Sequence, residues 1–167
     1  MNVSKQAGPM GIVTIGYMRA ISDNFLLGIG AEYNPLASKS GNYTYAVSGA
    51  NINGHYELQN TYNVFLSPAT PVGADGLLYG KVGYTSTSIE ATDSGNSNSN
   101  SLSGFSLGLG YRQTIQAGLY GFGEVNFMSY SNKANSYAGT SGANAFTYTM
   151  MQSVNVLNAV VGVGYKF

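Results

Sequence analysis

Apolar residues alternate with small or polar residues along most of this chain. The last segment, "LNAVVGVGYKF", shows the pattern clearly: every second residue from Leu157 to Phe167 is apolar, whereas those between are mostly small, polar or charged. A two-residue period places successive side chains on opposite faces of a β-strand. The segment therefore predicts a strand with one apolar face and one non-apolar face.

Seven segments show this alternation, and each has at least the roughly 9–11 residues that a tilted strand needs to cross a bilayer. They are predicted at 11–20, 24–35, 54–67, 77–90, 102–115, 119–131 and 153–167. Short turns alternate with longer stretches rich in Ser, Asn, Gly and Tyr, which we expect to be loops at 37–53, 91–101 and 131–152. The pattern predicts one domain, residues 1–167, folded as an antiparallel up-and-down sheet.

Composition leaves two classes of β protein. Charged residues make up 8% of the 167 residues, against about 25% in soluble domains. The net charge is zero, which gives no reason to expect a nucleic-acid partner. With no cysteine and one histidine, neither a metal site nor a cofactor is expected. No run reaches the roughly 18 apolar residues of a membrane-spanning helix. A sparsely charged soluble β protein and a membrane β-barrel remain.

The two faces of the strands favour the membrane. A soluble barrel points its apolar face inward and carries Lys and Glu outside. Here the non-apolar face is mainly Gly, Ser and Thr with few charges, which suits a narrow hydrogen-bonded lumen better than a wet surface. The apolar face is then expected to meet lipid. Backbone groups in lipid need internal partners, so we expect the sheet to close into a barrel.

The segments "GFSLGLGYRQTI", "LLYGKVGYT" and "VVGVGYKF" make the chain resemble the OmpA/OmpX-type family of small outer-membrane barrels. The resemblance covers most of the chain outside the loops. It implies an eight-stranded antiparallel transmembrane barrel in the bacterial outer membrane, monomeric and surrounded by outer-membrane lipid and lipopolysaccharide. It also implies that Phe167 and Tyr165 form the assembly signal for the barrel-assembly machinery. The alternative is that Phe167 is only an interfacial aromatic.

The chain departs from this resemblance in strand number, because we recognise seven strands and not eight. Segment 11–20 must run toward a short turn and so needs an upward partner before it, yet residues 1–8 are too few and too polar. We therefore expect the first strand to be absent through truncation at the amino end.

The few inward charges are the candidate site residues. Counting residues outward from the turn at "QA" places Arg112 diagonally beside Glu124, and counting across the loop at 91–101 places Lys81 level with Arg112. The three residues are therefore predicted to form a cluster in the lower lumen. A structural ion network is favoured over a gate, because charges far from water persist mainly when paired. The predicted lumen network comprises Glu32, Glu57, Lys81, Arg112, Glu124 and Lys166.

Nothing in the sequence resembles a catalytic site. The single histidine, His55, has Glu57 on its face but no serine partner. The Ser- and Asn-rich loops carry tyrosines in a composition typical of adaptive binding surfaces. We expect a structural or surface-interaction (adhesion-like) protein without enzymatic activity. The alternatives are a narrow porin-like channel for small solutes or ions and a soluble lipid-carrying barrel. The candidate loop-binding residues are Tyr43, Tyr45, Tyr137 and Tyr148.

Overall fold

The computed structural model describes the backbone of residues 2–3, 11–36, 38–47, 50–93, 96–131, 135–141, 144–150 and 153–167, and the side chains of 11–36, 59–88, 101–131 and 155–167. Among these residues, no helix is long and apolar enough to span a membrane. In chain order the strands are β1 (Asn2–Val3), β2 (Val13–Ser22), β3 (Phe25–Asn34), β4 (Ser38–Val47), β5 (Ala50–Val72), β6 (Gly76–Asp93), β7 (Asn96–Gln116), β8 (Leu119–Ser131), β9 (Asn135–Ser141), β10 (Asn144–Met150) and β11 (Ser153–Tyr165).

Seven long strands form one sheet in the order β2-β3-β5-β6-β7-β8-β11, and each is antiparallel to its neighbours. The predicted all-β, antiparallel up-and-down architecture is confirmed, with strands at the seven predicted places. The sheet is not closed, because β2 and β11 do not pair with each other within the described chain. Seven is odd, so these two edge strands run in the same direction.

The Ser- and Asn-rich stretches contain strands, so the prediction of long loops there was wrong. Strand β4 lies within 37–53, the β9–β10 hairpin lies within 131–152, and the ends of β6 and β7 extend into 91–101. Strand β5 pairs first with β4 and then with β3 along the same edge. Cross-strand bonds satisfy the backbone whatever the side chains are. In β9 and at the start of β7, polar residues on both faces leave no apolar alternation to reveal a strand. In β10 a short alternation of Phe146, Tyr148 and Met150 is present, but the expected loop at 131–152 included it.

Exposure follows the two-residue period. In β3, Leu27 and Ile29 are exposed, whereas Gly28 and Glu32 are buried. Arg19 is the only charged side chain at an outward strand position among the side chains described. All seven long strands present large exposed apolar side chains, among them Ile15, Ile29, Val64, Val82, Leu107, Val125 and Val161.

The sheet curls so that its inward side chains meet. Four strand-to-strand steps separate β2 from β7, which in a flat sheet is about 19 Å. Yet Nη2 of Arg112 on β7 lies 3.3 Å from Sδ of Met18 on β2. Glycines make room for rings in the interior, since each of four inward rings lies over the glycine opposite it on the next strand. These pairs are Gly30–Phe65, Gly110–Tyr79, Gly162–Phe122 and Gly164–Tyr120.

Among the residues that the structure describes, two that are not glycine have a positive φ, one at an irregularity of the ladder and one in a hairpin turn. Asn60 (φ 51°) lies in β5 where its register with β6 shifts, which marks a β-bulge. Ala117 (φ 37°) and Gly118 (φ 87°) form the two-residue turn between β7 and β8. Positive φ at both positions matches the type I′ turn that suits the twist of a hairpin.

Candidate functional site

Lys81 is the centre of the buried polar interior. It points inward from β6, the middle strand of the seven, and only 8% of the residue is exposed. Its Nζ donates a hydrogen bond to Oε1 of Glu32 and lies 2.7 Å from Oε2 of Glu124. The two carboxylates belong to β3 and β8, each two strands away on opposite sides. The curl of the sheet therefore brings three distant strands to one ammonium group.

Both carboxylates accept further hydrogen bonds from buried donors. Nδ2 of Asn63 donates to Oε2 of Glu32 at 3.0 Å. The hydroxyl of Tyr79 and Nδ2 of Asn126 donate to the two oxygens of Glu124, at 2.8 and 2.9 Å. These bonds replace the water that each carboxylate loses on burial, which is the condition under which a buried charge is tolerated.

Further hydrogen bonds within the interior connect this centre to two more strands, β7 and β11. Oγ of Ser106 donates to Oδ1 of Asn63 at 2.7 Å, and Nδ2 of Asn126 donates to Oδ1 of Asn158 at 3.2 Å. The resulting interior network joins every long strand except β2. We define this interior network as Glu32, Asn63, Tyr79, Lys81, Ser106, Glu124, Asn126 and Asn158.

The charged centre carries a net charge of −1, since Lys81 faces two carboxylates. Rings add to the stabilisation of its ammonium group. Nζ lies 4.6 Å from the ring centroid of Phe65 and 5.9 Å from that of Tyr79. Ring faces attract cations at such distances. The ammonium group is therefore held by two carboxylates and by aromatic faces, whereas the neutral donors bind the carboxylates.

Arg112 does not join this centre, so the predicted Lys81–Arg112–Glu124 cluster was wrong in that member. Lys81 lies opposite Gly108, four residues from Arg112 along β7. The error came from the expected loop at 91–101, because β6 and β7 remain paired as far as Asp93 and Asn96, which changes the register of the two strands. The second charged residue in contact with Lys81, besides Glu124, is Glu32 and not Arg112.

Arg112 lies instead between the two edge strands. Its Nη2 donates to Sδ of Met18 on β2 at 3.3 Å, and its Cζ lies 5.2 Å from the ring centroid of Tyr120. That ring lies over Gly164 of β11. Neither ion pair found among the described side chains involves Arg112. The guanidinium is thus half-buried with a thioether and a ring as its neighbours.

Of the other predicted residues, Lys166, Tyr165 and Phe167 lie outside the interior network. Lys166 is exposed, and its backbone N–H donates to the carbonyl of Gly118 at 2.8 Å. Tyr165 and Phe167 are exposed at the end of the chain. The side chain of Glu57 lies outside the described residues, as does that of His55.

The four candidate binding tyrosines are placed by their backbones only, because their side chains also lie outside the described residues. Tyr43 and Tyr45 belong to β4, where they pair with positions of the first half of β5. Tyr137 and Tyr148 lie directly opposite each other in the β9–β10 hairpin. All four therefore belong to strands and not to irregular loops.

A buried apolar cluster, which was not predicted from the sequence, packs inside the sheet on the side of the long hairpins. Leu102 (0% exposed), Met128 (5%) and Tyr130 (2%) pack together with Val156 against them. The Tyr130 hydroxyl lies 3.0 Å from Oγ1 of Thr85. Continuing the inward alternation of β8 two residues beyond Met128 would have found Tyr130. We call these four apolar residues the upper plug.

Among the described residues, no group of three or more His, Cys, Asp or Glu side chains is arranged to hold a metal ion. No protein-family model and no curated protein matches this chain. Its function must therefore be argued from the arrangement of its own residues.

Proposed function

We propose that this protein is a bacterial outer-membrane β-barrel of the OmpA/OmpX type, with a structural or surface-interaction role and no catalytic activity. One observation carries the proposal. The charged and hydrogen-bonding side chains are buried inside the curled sheet, whereas large apolar side chains are exposed on every long strand. Water as the outer solvent would favour the opposite arrangement. Lipid favours this one.

The extent of the exposed apolar surface supports the proposal that a lipid bilayer surrounds the sheet. Monomeric soluble proteins rarely expose contiguous apolar patches above a few hundred Å². From Phe105 to Ile115, β7 covers about 33 Å along the strand, or about 25 Å along the membrane normal at the usual tilt, which is the height of an outer-membrane apolar band. The exposed Tyr33 and Tyr62, paired at the upper end, match an interfacial aromatic row. Arg19 lies near a short turn, where its long side chain can reach the headgroups.

Closure by an eighth strand follows from strand direction. In lipid the free edges of β2 and β11 would leave backbone groups without hydrogen bonds, at several kcal/mol each. These edges run in the same direction, so one strand of opposite direction would pair antiparallel with both. That strand completes an even-numbered barrel, as in other single-chain bacterial barrels.

The long ends of the strands support a role at the cell surface. Strands β5, β6 and β7 have 23, 18 and 21 residues, about twice the 9–11 that a membrane strand requires. Their surplus extends on the side away from the short turns, together with β4 and the β9–β10 hairpin. Tyr43, Tyr45, Tyr137 and Tyr148 belong to this extension. We propose it as the surface that contacts partners outside the cell, with lipopolysaccharide around its base.

The narrow channel is the second candidate, favoured by the inward placement of Lys81 and Arg112. The burial of Lys81 and the upper plug both argue against it. Eight-stranded barrels have interiors just wide enough for side chains to fill. A channel of this kind would therefore need both the interior network and the upper plug to rearrange.

The test is folding in detergent, first of the chain as it stands and then with a designed alternating strand fused ahead of residue 11. We expect both forms to need detergent for solubility. With the added strand, unheated and boiled samples should differ in mobility on a denaturing gel, as closed barrels do. A chain that is monomeric and folded in plain buffer would contradict the proposal and favour the soluble lipid carrier.

Conductance across planar bilayers separates the structural role from the channel. We expect the closed barrel to be silent. Steady ion conductance that changes in Lys81→Met or Arg112→Gln would contradict the structural role and favour the channel.

A further inference from the structure

The two free strand edges define a single gap, which we call the seam: the outer edge of β2 and the outer edge of β11. A second copy of the chain fills it poorly. Antiparallel pairing of β11 with β11 of another copy would turn that copy upside down in the membrane. Copies of the same orientation would bring β11 beside β2 in parallel. A single strand of opposite direction satisfies both edges at once.

Arg112 lies directly behind the seam. On one side it contacts Met18 of β2, and on the other it lies against the Tyr120 ring, which covers Gly164 of β11. Guanidinium groups strongly favour planar pairing with carboxylates. Among the described side chains the two inward carboxylates, Glu32 and Glu124, are already bound to Lys81 and to amide or hydroxyl donors.

A second inward group beside the seam, the amide of Asn158, has an unsatisfied hydrogen-bond donor. Nδ2 of Asn158 on β11 is buried and has no hydrogen-bond acceptor, although its Oδ1 accepts from Asn126. A buried donor of this kind costs about 1–3 kcal/mol unless an acceptor reaches it. We therefore expect the strand that fills the seam to supply hydrogen-bond acceptors for the guanidinium of Arg112 and for the amide of Asn158.

We propose that the seam binds one extended strand, antiparallel to β2 and β11, whose inward face places a carboxylate against Arg112 and a second acceptor near Asn158. This inference rests on the proposed closure and adds the chemistry of the missing partner. The outward positions of that strand are apolar, and its inward positions are otherwise small. The carboxylate lies in the half of the strand that faces Met18, since that is where the guanidinium is.

The test uses synthetic twelve-residue peptides added to the refolding chain in detergent micelles. The peptides alternate leucine with serine, and one inward serine at a time is replaced by Glu or by Gln. Samples are heated and run on a denaturing gel, on which a folded, compact chain migrates differently from an unfolded one. The quantity compared is the peptide concentration at which half of the chain remains folded after heating. At one position near Met18, we expect Glu to lower this concentration about tenfold relative to Gln, as a charge-assisted hydrogen bond would.

Two variants locate the effect. In Arg112→Gln the preference for Glu should disappear, whereas Lys166→Gln, which removes an exposed cation at the same end, should keep it. If Arg112→Gln fails to fold, Arg112→Lys should retain the preference in weaker form, and its complete loss there would contradict the pairing.

The outcomes separate this inference from the closure on which it rests. If Glu and Gln peptides protect equally at every position, the seam takes a strand and the carboxylate proposal is wrong. If no alternating peptide protects better than a scrambled one, closure by a strand fails and the inference fails with it.

Discussion

At the scale of single residues, Lys81 holds the interior together. Its ammonium group lies between Glu32 and Glu124, both 6% exposed, so neither carboxylate has water as a substitute partner. A buried ion pair adds little net stability against an apolar replacement, yet removing one partner alone is costly. The interior network is therefore a constraint on strand register more than a source of stability.

Replacing Lys81 by Met tests this role. The change leaves two buried carboxylates facing each other, and we expect the free energy of unfolding to fall by about 3–5 kcal/mol. Urea titration in micelles, followed by circular dichroism, measures it.

The triple variant Glu32→Gln, Lys81→Met, Glu124→Gln removes all the charges and should recover part of that loss. Lys166→Met, in an exposed position, is the matched control and should change stability little. An unchanged stability in Lys81→Met would mean that the network does not form.

An added methyl group should lower stability at one glycine and be tolerated at a second glycine on the neighbouring strand. At Gly104 an added Cβ would overlap the backbone carbonyl of Ser129, whereas at Gly123 the nearest atom, Cγ1 of Val161, lies 4.0 Å away. Gly104→Ala should therefore cost about 1–3 kcal/mol, and Gly123→Ala should be tolerated. The same urea titration compares them, and equal effects would refute the steric argument.

At the scale of elements, the β7–β8 turn carries a residue that does not suit its conformation. Ala117 has φ 37°, and a side chain without a local hydrogen bond is strained there. Ala117→Asn should stabilise the hairpin by about 1 kcal/mol, because Asn-Gly is the preferred type I′ pair. Thermal unfolding measures the gain. Ala117→Val, which is β-branched, should lower the midpoint instead.

Periodicity predicted the strands because one face of each is apolar, but it could not set their lengths or their register. The ends of β6 and β7 are polar on both faces, so nothing in the pattern of "DSGNSNSNS" separates strand from loop. The register of Lys81 against β7 depends on how far β6 and β7 remain paired. The inward parity of Lys81, Glu32 and Glu124 could be predicted from the sequence, whereas their contact needed the curl of the sheet, because each carboxylate lies two strands away from Lys81.

At the scale of the whole molecule, the solvent of the outer face decides the function. Leu109 is exposed near the middle of the apolar band, and Gln113 is exposed near its lower end. In lipid vesicles Leu109→Arg should lower folding stability by about 2–4 kcal/mol, and Gln113→Arg by about 0–1 kcal/mol. Folding titrations in vesicles compare the two. Equal tolerance of both charges would argue that water covers this face.

The seam also sets the order of folding. Each long strand pairs with the long strand before or after it along the chain, so hairpins can form one after another from local contacts. Such contacts form fast, because little chain entropy is lost in bringing neighbours together. Filling the seam between β2 and β11 with one further strand is the single step that links distant parts of the sheet. Closing that ring should therefore be the slow event, and the six sheet pairings should precede it.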